Sequence, residues 1–415
     1  MSYEAEYNQW KKKPLDYWET KSNEIIWNKK WKCVLQQDDE KSWTWFPDGE
    51  MNTCYNCLDF HINNGNGNKI ALIYDSPVTN QKKKFSYNDL LQKTAKIAGA
   101  LKNKGVSKGD RVIIYMPMIP EAVASMLACA RIGAIHVVVF GGFAPNELAT
   151  RINDSKPKVI IAGSCGIEPG KIIEYKPMLD KAIELADHKI DCCFIHQRDI
   201  KKADLIEGRD YDLEILMQKS ESASPVSVKS QDPLYILSSS GTTGDPKGMV
   251  RENGGHAVAL KNSMSMIYGI NSDDTFWAAS DIGWVVGHSY IVYGPLLKGC
   301  TTVLFEGKPV GNPDAGAFWR VISEHNVSVM FTAPTALRAI KREDPEGKHI
   351  KKYDLNNFKM QFLAGERADP ATIEWAKKHL NVPIIDHWWQ TETGWAIAGN
   401  FSGLGIFDIR PGSTG

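Results

Sequence analysis

Tyr235-Ile-Leu-Ser-Ser-Ser-Gly-Thr-Thr-Gly-Asp-Pro-Lys-Gly248 is the stretch that decides how this chain is read. A short apolar strand runs straight into a loop of small and hydroxyl residues that closes on Lys247. Gly241, Gly244 and Gly248 let the backbone bend close to a ligand. The N–H groups and hydroxyls of such a loop can wrap phosphate oxygens, and Lys247 adds a point charge for the same anion. The spacing is not that of a Walker A loop, Gly-x-x-x-x-Gly-Lys-[Ser/Thr], so a generic P-loop nucleotidase is disfavoured. A Ser/Gly-rich surface linker is the bland alternative. A linker would not continue a buried strand and end in Asp-Pro-Lys-Gly.

Outward from this loop the chain alternates. Upstream, the pattern predicts strands over 71–74, 111–116, 136–140, 159–162 and 193–196, with helices over 86–103, 121–131, 146–153 and 173–186. Ser86 reads as an N-cap, with Leu90, Leu91, Ile97 and Leu101 at helical spacing behind it. Downstream, strands are predicted over 234–237, 301–305, 327–332, 360–364 and 382–385, with helices over 315–324, 334–341 and 370–380. Short apolar strands between amphipathic helices mean βαβ units. The expected fold is α/β, with two packed, mostly parallel sheets flanked by helices. A Ser/Lys-rich segment over 219–230 is the best boundary. It divides the chain into a Trp-rich segment over 1–60, read as an irregular layer, a first α/β unit over 61–228 and a second over 229–415. No short internal repeat is visible.

Composition removes several classes. The 415 residues carry 49 Lys+Arg against 49 Asp+Glu, so no net field favours nucleic acid or an acidic membrane. With 43% hydrophobic residues the chain is not disordered. Its eight cysteines are too sparse for a secreted disulfide scaffold. The greasiest stretch, 111–143, is broken by Pro117, Pro120, Glu121 and Arg131, which argues against a membrane span. The first 13 residues have no apolar core of a signal peptide, and the expected location is the cytoplasm.

Three further motifs follow the loop in order: Ser280-Asp-Ile-Gly-Trp-Val-Val-Gly-His-Ser-Tyr290, Ala364-Gly-Glu-Arg367 and Asp386-His-Trp-Trp-Gln-Thr-Glu-Thr-Gly394. Together with the loop they resemble the adenylate-forming superfamily of acyl-CoA synthetases, luciferases and peptide-synthetase adenylation domains. The doubled Trp388-Trp389, the Gly287-His288-Ser289-Tyr290 run and the Trp-rich N-terminus resemble its short-chain branch, the acetyl- and propionyl-CoA synthetases. That resemblance implies the large N-terminal domain of the acyl-CoA synthetase fold. It also implies two half-reactions. A carboxylate attacks the α-phosphate of ATP, giving acyl-adenylate and pyrophosphate, and coenzyme A then displaces AMP.

Residue roles follow from the same resemblance. Ser239, Ser240, Gly241, Thr242, Thr243, Gly244 and Lys247 would hold the leaving phosphates, with Thr242, Lys247 and Glu392 counted as catalytic. Relatives carry Tyr-Thr where this chain has Ser238-Ser239. Gly365, Glu366 and Arg367 would lie beside adenine; relatives more often carry Gly-Glu-Pro here. Asp386, His387, Trp388, Trp389, Gln390 and Thr391 would complete the AMP site, with His387 equally readable as a structural residue. Glu392 would hold Mg2+, a hard cation suited to carboxylate and phosphate oxygens. Val285, Val286, Ala364 and Trp389 would wall the acyl pocket, while Trp388 reads as core. Acetate-preferring relatives carry Val where this chain has Ala364. The missing bulk amounts to roughly a methylene, worth about 1–3 kcal/mol of discrimination, which favours propionate over acetate.

For coenzyme A, Phe140, Gly141 and Gly142 resemble a segment beside its pantetheine, and Lys171 falls where relatives place an Arg for a phosphate. An exposed lysine at a helix start reads equally well. Cys54-Tyr-Asn-Cys57 has redox-motif spacing without its fold context and reads as structural. The ten His show no metal spacing. The expected partners are therefore a small carboxylate, ATP and coenzyme A, with neither nucleic acid nor membrane. Relatives continue past Arg410-Pro-Gly-Ser-Thr-Gly415 into a C-terminal lid domain that carries a further catalytic lysine. Two readings stand: the large domain of a short-chain synthetase, or a truncated nucleotide-binding fragment with impaired turnover.

Overall fold

The computed structural model describes residues 2–168, 170–239 and 247–414. Two seven-stranded sheets make up the body of these described residues. In the first, the order is Asp210–Asp212, Cys192–His196, Val159–Gly163, Arg111–Tyr115, Ile135–Val138, Pro233–Ser239, Lys247–Glu252. In the second it is Ile384–Asp386, Met360–Leu363, Val327–Thr332, Thr275–Ala279, Thr301–Phe305, Ile70–Ser76, Gln81–Ser86. Six strands of each sheet run parallel, and the last turns back as an antiparallel edge.

The sheets thus repeat one strand order, which the residue pattern does not reveal. Each is completed by a hairpin from the other half of the sequence. Ile70–Ser86 joins the later strands, and Pro233–Glu252 joins the earlier ones. Sheet membership therefore crosses the Ser/Lys-rich segment.

Local sequence explains most elements. Arg111-Val-Ile-Ile-Tyr115 and Val159-Ile-Ile-Ala-Gly163 are β-branched runs almost wholly buried, as parallel strands covered on both faces must be. Helix Tyr87–Asn103 begins at a capping box, with Ser86 and Asp89 each satisfying the other's backbone N–H. Helix Pro120–Ile132 opens on proline and ends at Gly133, whose φ of 71° suits a left-handed cap. Ile114, Ile161 and Phe194 of the first sheet share one core with Leu72, Phe276 and Phe331 of the second. No helix among the described residues is long and apolar enough to cross a membrane.

Two expectations need correction. Residues 3–22 are not irregular: Tyr3–Lys12 and Pro14–Ser22 are helices. Acidic residues in their first turns and lysines in their last complement the helix dipoles. The helix predicted over 173–186 is only Tyr175–Leu185; Lys171–Glu174 pairs antiparallel with Cys165–Glu168. Gly170 at φ 74° makes the turn, and the β-branched Ile172 and Ile173 suit the strand.

The topology positions the motifs. Central motif, adenine turn and nucleotide motif all leave the carboxyl ends of parallel strands in the second sheet, after Ala279, Leu363 and Asp386. Phe140-Gly141-Gly142 and the Ser/Gly/Thr loop follow the carboxyl ends of Ile135–Val138 and Pro233–Ser239 in the first. Crevices at such strand ends are where open α/β sheets take ligands.

Candidate active site

The loop residues Ser240, Gly241, Thr242, Thr243 and Gly244 lie outside the described residues, and of Ser239 only the backbone is described. Lys247 begins the strand that leaves the loop and is exposed. Four residues on, Arg251 reaches across to the nucleotide motif. Its guanidinium donates to the carbonyl oxygens of Thr391 at 2.8 Å and Glu392 at 3.0 Å. Ser289 of the central motif donates to the Gly394 carbonyl at 2.7 Å. The turn carrying Gln390, Thr391 and Glu392 is therefore tied both to the strand leaving the phosphate loop and to the central motif. Arg251 drew no attention in the sequence, where it is one cation on an edge strand.

Gly365, Glu366, Arg367, Asp386, His387, Trp388 and Trp389 line one cavity of about 340 Å³ together with Gly412 and Thr414. The structure so brings together most of the residues expected at AMP. Gln390, Thr391 and Glu392 lie beyond its lining, on the turn that Arg251 holds. Gly365 adopts φ 102°, a conformation that a side chain would strain. Glu366 forms an ion pair at 2.5 Å with Arg338 of helix Pro334–Glu343, another residue that sequence reasoning passed over. Burial pushes the Asp386 carboxyl up, although the Ala368 and His387 backbone N–H groups oppose the shift.

His387 is fully engaged. Its Nδ1 lies 2.7 Å from the Leu363 carbonyl, and its Nε2 lies 3.0 Å from the Tyr268 hydroxyl. An N–H at Nδ1 leaves Nε2 to accept from the tyrosine. Burial lowers its pKa to about 4, so the ring is a neutral strut. Trp388 is corrected from core to surface, being 50% exposed. Trp389 is buried, with ring centroids 5.7 Å from Tyr290 and 5.6 Å from Phe331. Val285 and Ala364 belong to the same core cluster as Trp389, with Val286 packed against it.

A second cleft, of about 370 Å³, is lined by Phe140, Gly141 and Gly142 together with Asp281, Trp284, Glu306 and Lys308. A Cβ on Gly141 would sit 2.3 Å from the Tyr175 hydroxyl, so only glycine fits there. Helix Pro334–Glu343 lines this cleft through Ala336, and its Arg338 pairs with Glu366 of the nucleotide cavity. Lys171 is exposed on its short strand and does not line the cleft. Lys308 does, and forms an ion pair with Glu168 at 2.9 Å.

Other titratable clusters are structural. Asp75, Glu324 and His325 lie close enough to share an ion, but Arg320 already donates to both oxygens of Asp75, at 2.7 and 2.9 Å. Cys54 and Cys57 are buried, and burial pushes both thiols up, Cys54 to about 12. Neither is a reactive thiolate.

Known proteins match this sequence over nearly its whole length. The family described as AMP-binding enzyme matches residues 60–414, and the one described as acetyl-coenzyme A synthetase N-terminus matches residues 3–57. Acyl-CoA synthetase short-chain family member 3, mitochondrial, of Rattus norvegicus is 54% identical over 399 residues, covering 96% of this chain and 58% of that protein. Short-chain family member B, mitochondrial, of Dictyostelium discoideum is 45% identical over 404 residues, 95% of this chain and 58% of its own. Propionate–CoA ligase of Escherichia coli is 42% identical over 417 residues, 100% of this chain and 66% of its own. The chain thus spans 58% to 66% of the length of these relatives. With four ordered motifs on the carboxyl ends of two parallel sheets and a family match over residues 60–414, the chain belongs to the AMP-binding enzyme family.

Proposed function

We propose that this protein activates a short-chain carboxylate, propionate ahead of acetate, in two steps. ATP and the acid give acyl-adenylate and pyrophosphate; coenzyme A then gives acyl-CoA and AMP. The observation that carries this reading is the pair of cavities, one lined by the nucleotide motifs and the other by Phe140, Gly141 and Gly142. The printed name of the Escherichia coli relative, propionate–CoA ligase, supports the substrate class.

Both reactants of the first step are anions, so the task is to offset repulsion and hold them in line. The Ser/Gly/Thr loop and Lys247 would take the phosphates that leave. Gly365, Glu366 and Asp386 would hold the base. Trp389, with Val285, Val286 and Ala364, would limit the acid to a short chain. Glu392 is exposed and forms no ion pair among the described residues, so its carboxylate suits a hard cation. Mg2+, when bound there, offsets charge on the phosphates.

The alternative is a nucleotide-binding fragment that turns over poorly. One assay separates the two. This polypeptide is incubated with ATP, Mg2+ and acetate, propionate or butyrate, and acid-dependent pyrophosphate release is followed. Release fastest with propionate supports the synthetase reading. Tight AMP binding without acid-dependent release supports the fragment.

A further inference from the structure

We propose that Asp281 is the general base for the thiol step: its carboxylate takes the proton of coenzyme A as sulfur attacks the acyl-adenylate. The proposal rests on the functional reading above and adds a residue to it.

Three carboxylates line the Phe140-Gly141-Gly142 cleft. Glu306 is committed, because Arg198 donates to its two oxygens at 2.7 and 2.9 Å, and Tyr74 and Ser76 donate as well. Glu168 is exposed and paired with Lys308. Asp281 has neither kind of partner. Its Oδ1 accepts the Gly283 N–H at 2.7 Å, which fixes the carboxylate plane. Its Oδ2 has no hydrogen-bond partner among the described residues, and the residue lines the cleft. The anchoring turn is crowded. A Cβ on Gly283 would lie 3.1 Å from both Asp281 Oδ1 and the Phe140 backbone, so Gly283 sits between the carboxylate and the segment expected to meet pantetheine, and both line the same cleft.

Titration supports the geometry. Burial pushes the Asp281 carboxyl up to about 6, which makes it a stronger base than an ordinary carboxylate yet leaves it ionised at neutral pH. The other charged or titratable groups facing the cleft are Glu306 with Arg198, Glu168 with Lys308, and Tyr175. Burial pushes the Tyr175 hydroxyl up, so it stays protonated. The step balances. The S–H bond breaks toward Oδ2, and the sulfur electrons form the S–C bond to the acyl carbon. The C–O bond to the phosphate breaks, and AMP leaves with that pair. Asp281 afterwards returns its proton to water.

The experiment compares Asp281→Asn and Asp281→Glu with wild type in the full-length protein. Propionate-dependent exchange of pyrophosphate into ATP reports the first step and needs no thiol. Single-turnover transfer from preformed propionyl-adenylate to coenzyme A reports the second. Asn keeps the acceptor for Gly283. In D281N we expect exchange within about twofold of wild type and thiol transfer slowed about 10²–10⁴-fold, the usual worth of a general base. The transfer rate of wild type should level off above about pH 6. That of D281N should keep rising toward the thiol pKa, and D281E should recover part of the loss. Equal transfer rates in D281N and wild type would overturn the proposal. So would parallel loss of both steps without recovery in D281E, which would mark Asp281 as structural. Absence of propionate-dependent exchange in wild type would instead overturn the functional reading.

Discussion

Arg251 and Ala364 show what single side chains decide. Arg251 bonds two carbonyl oxygens on the turn that carries Glu392, from the strand that leaves the phosphate loop. Losing a charged donor of this kind costs about 1.5–3 kcal/mol, a ten- to hundredfold effect. Arg251→Met should therefore raise the KM for Mg·ATP by that factor while leaving the KM for propionate within about twofold. Equal rises in both would show that the bond does not act on the nucleotide. Ala364 is buried in the same cluster as Trp389. Ala364→Val adds bulk where the acid is expected, so the propionate/acetate ratio of kcat/KM should fall by about 10-fold or more, as a methylene misfit of about 1–3 kcal/mol implies. An unchanged ratio would put the chain-length limit elsewhere. Asp281 and Arg251 were not singled out in the sequence for different reasons. A carboxylate becomes a base candidate only when folding strips its partners and seats it in a cleft. Arg251 acquires its role from a turn 140 residues downstream. Gly365 and Asp386 could be singled out in the sequence because a motif fixes their spacing, and both line one cavity.

At the scale of elements, legibility follows the signals the backbone itself uses. Helix Pro370–Leu380 was read to the residue, since Pro370 opens it behind the Asp369 cap and Asn381 closes it with φ 54°. Helix Gly254–Met266 was missed. It opens on two glycines and buries Lys261, Asn262 and Ser263 alongside its apolar residues, so no amphipathic stripe announces it. Hairpin edges such as Gln81–Ser86 were missed because Lys82, Lys83 and Lys84 face solvent and read as loop. Such charges suit an edge strand, where they discourage pairing with another chain. The Ser86 cap offers a direct test. Ser86→Ala removes the acceptor for the Asp89 N–H and should cost about 1 kcal/mol in urea unfolding, without altering the KM for ATP. A loss below a few tenths would mean that packing of Leu90 and Ile97 alone holds the helix.

For the whole molecule, buried histidines set the acid limit. His61, His288 and His387 are buried, and burial lowers each to about 4. Unfolding returns each toward its ordinary value of about 6.5. Below that pH the unfolded chain binds more protons, so stability falls as pH falls, and the loss is complete near pH 4. Each ring accounts for up to about 3 kcal/mol across the window. Asp281 acts in the opposite sense. Held at about 6 when folded, it takes up its proton earlier than in the unfolded chain and recovers part of the loss. Asp386 and Glu252, which burial also pushes up, act as Asp281 does. Buried His136 and His256 are lowered well below the ordinary value and add to the loss. The five rings outweigh these three carboxyls, so the urea midpoint should drop between pH 6.5 and 4.5, and Asp281→Asn should steepen the drop. A flat midpoint over that range would contradict the burial of the rings.

The crossed hairpins also put a clock on synthesis. Strand Ile70–Ser76 leaves the ribosome early, but its parallel neighbour Thr301–Phe305 follows only after roughly 220 more residues. At about 5–20 residues per second, that strand waits roughly ten to forty-five seconds with a bare edge. During the wait, the lysines on its hairpin partner protect only that partner's outer edge, and the edge of Ile70–Ser76 that awaits Thr301–Phe305 stays open to neighbouring nascent chains. A ribosome-bound intermediate stalled before residue 301 should accordingly be the species that chaperones hold and that proteases cut.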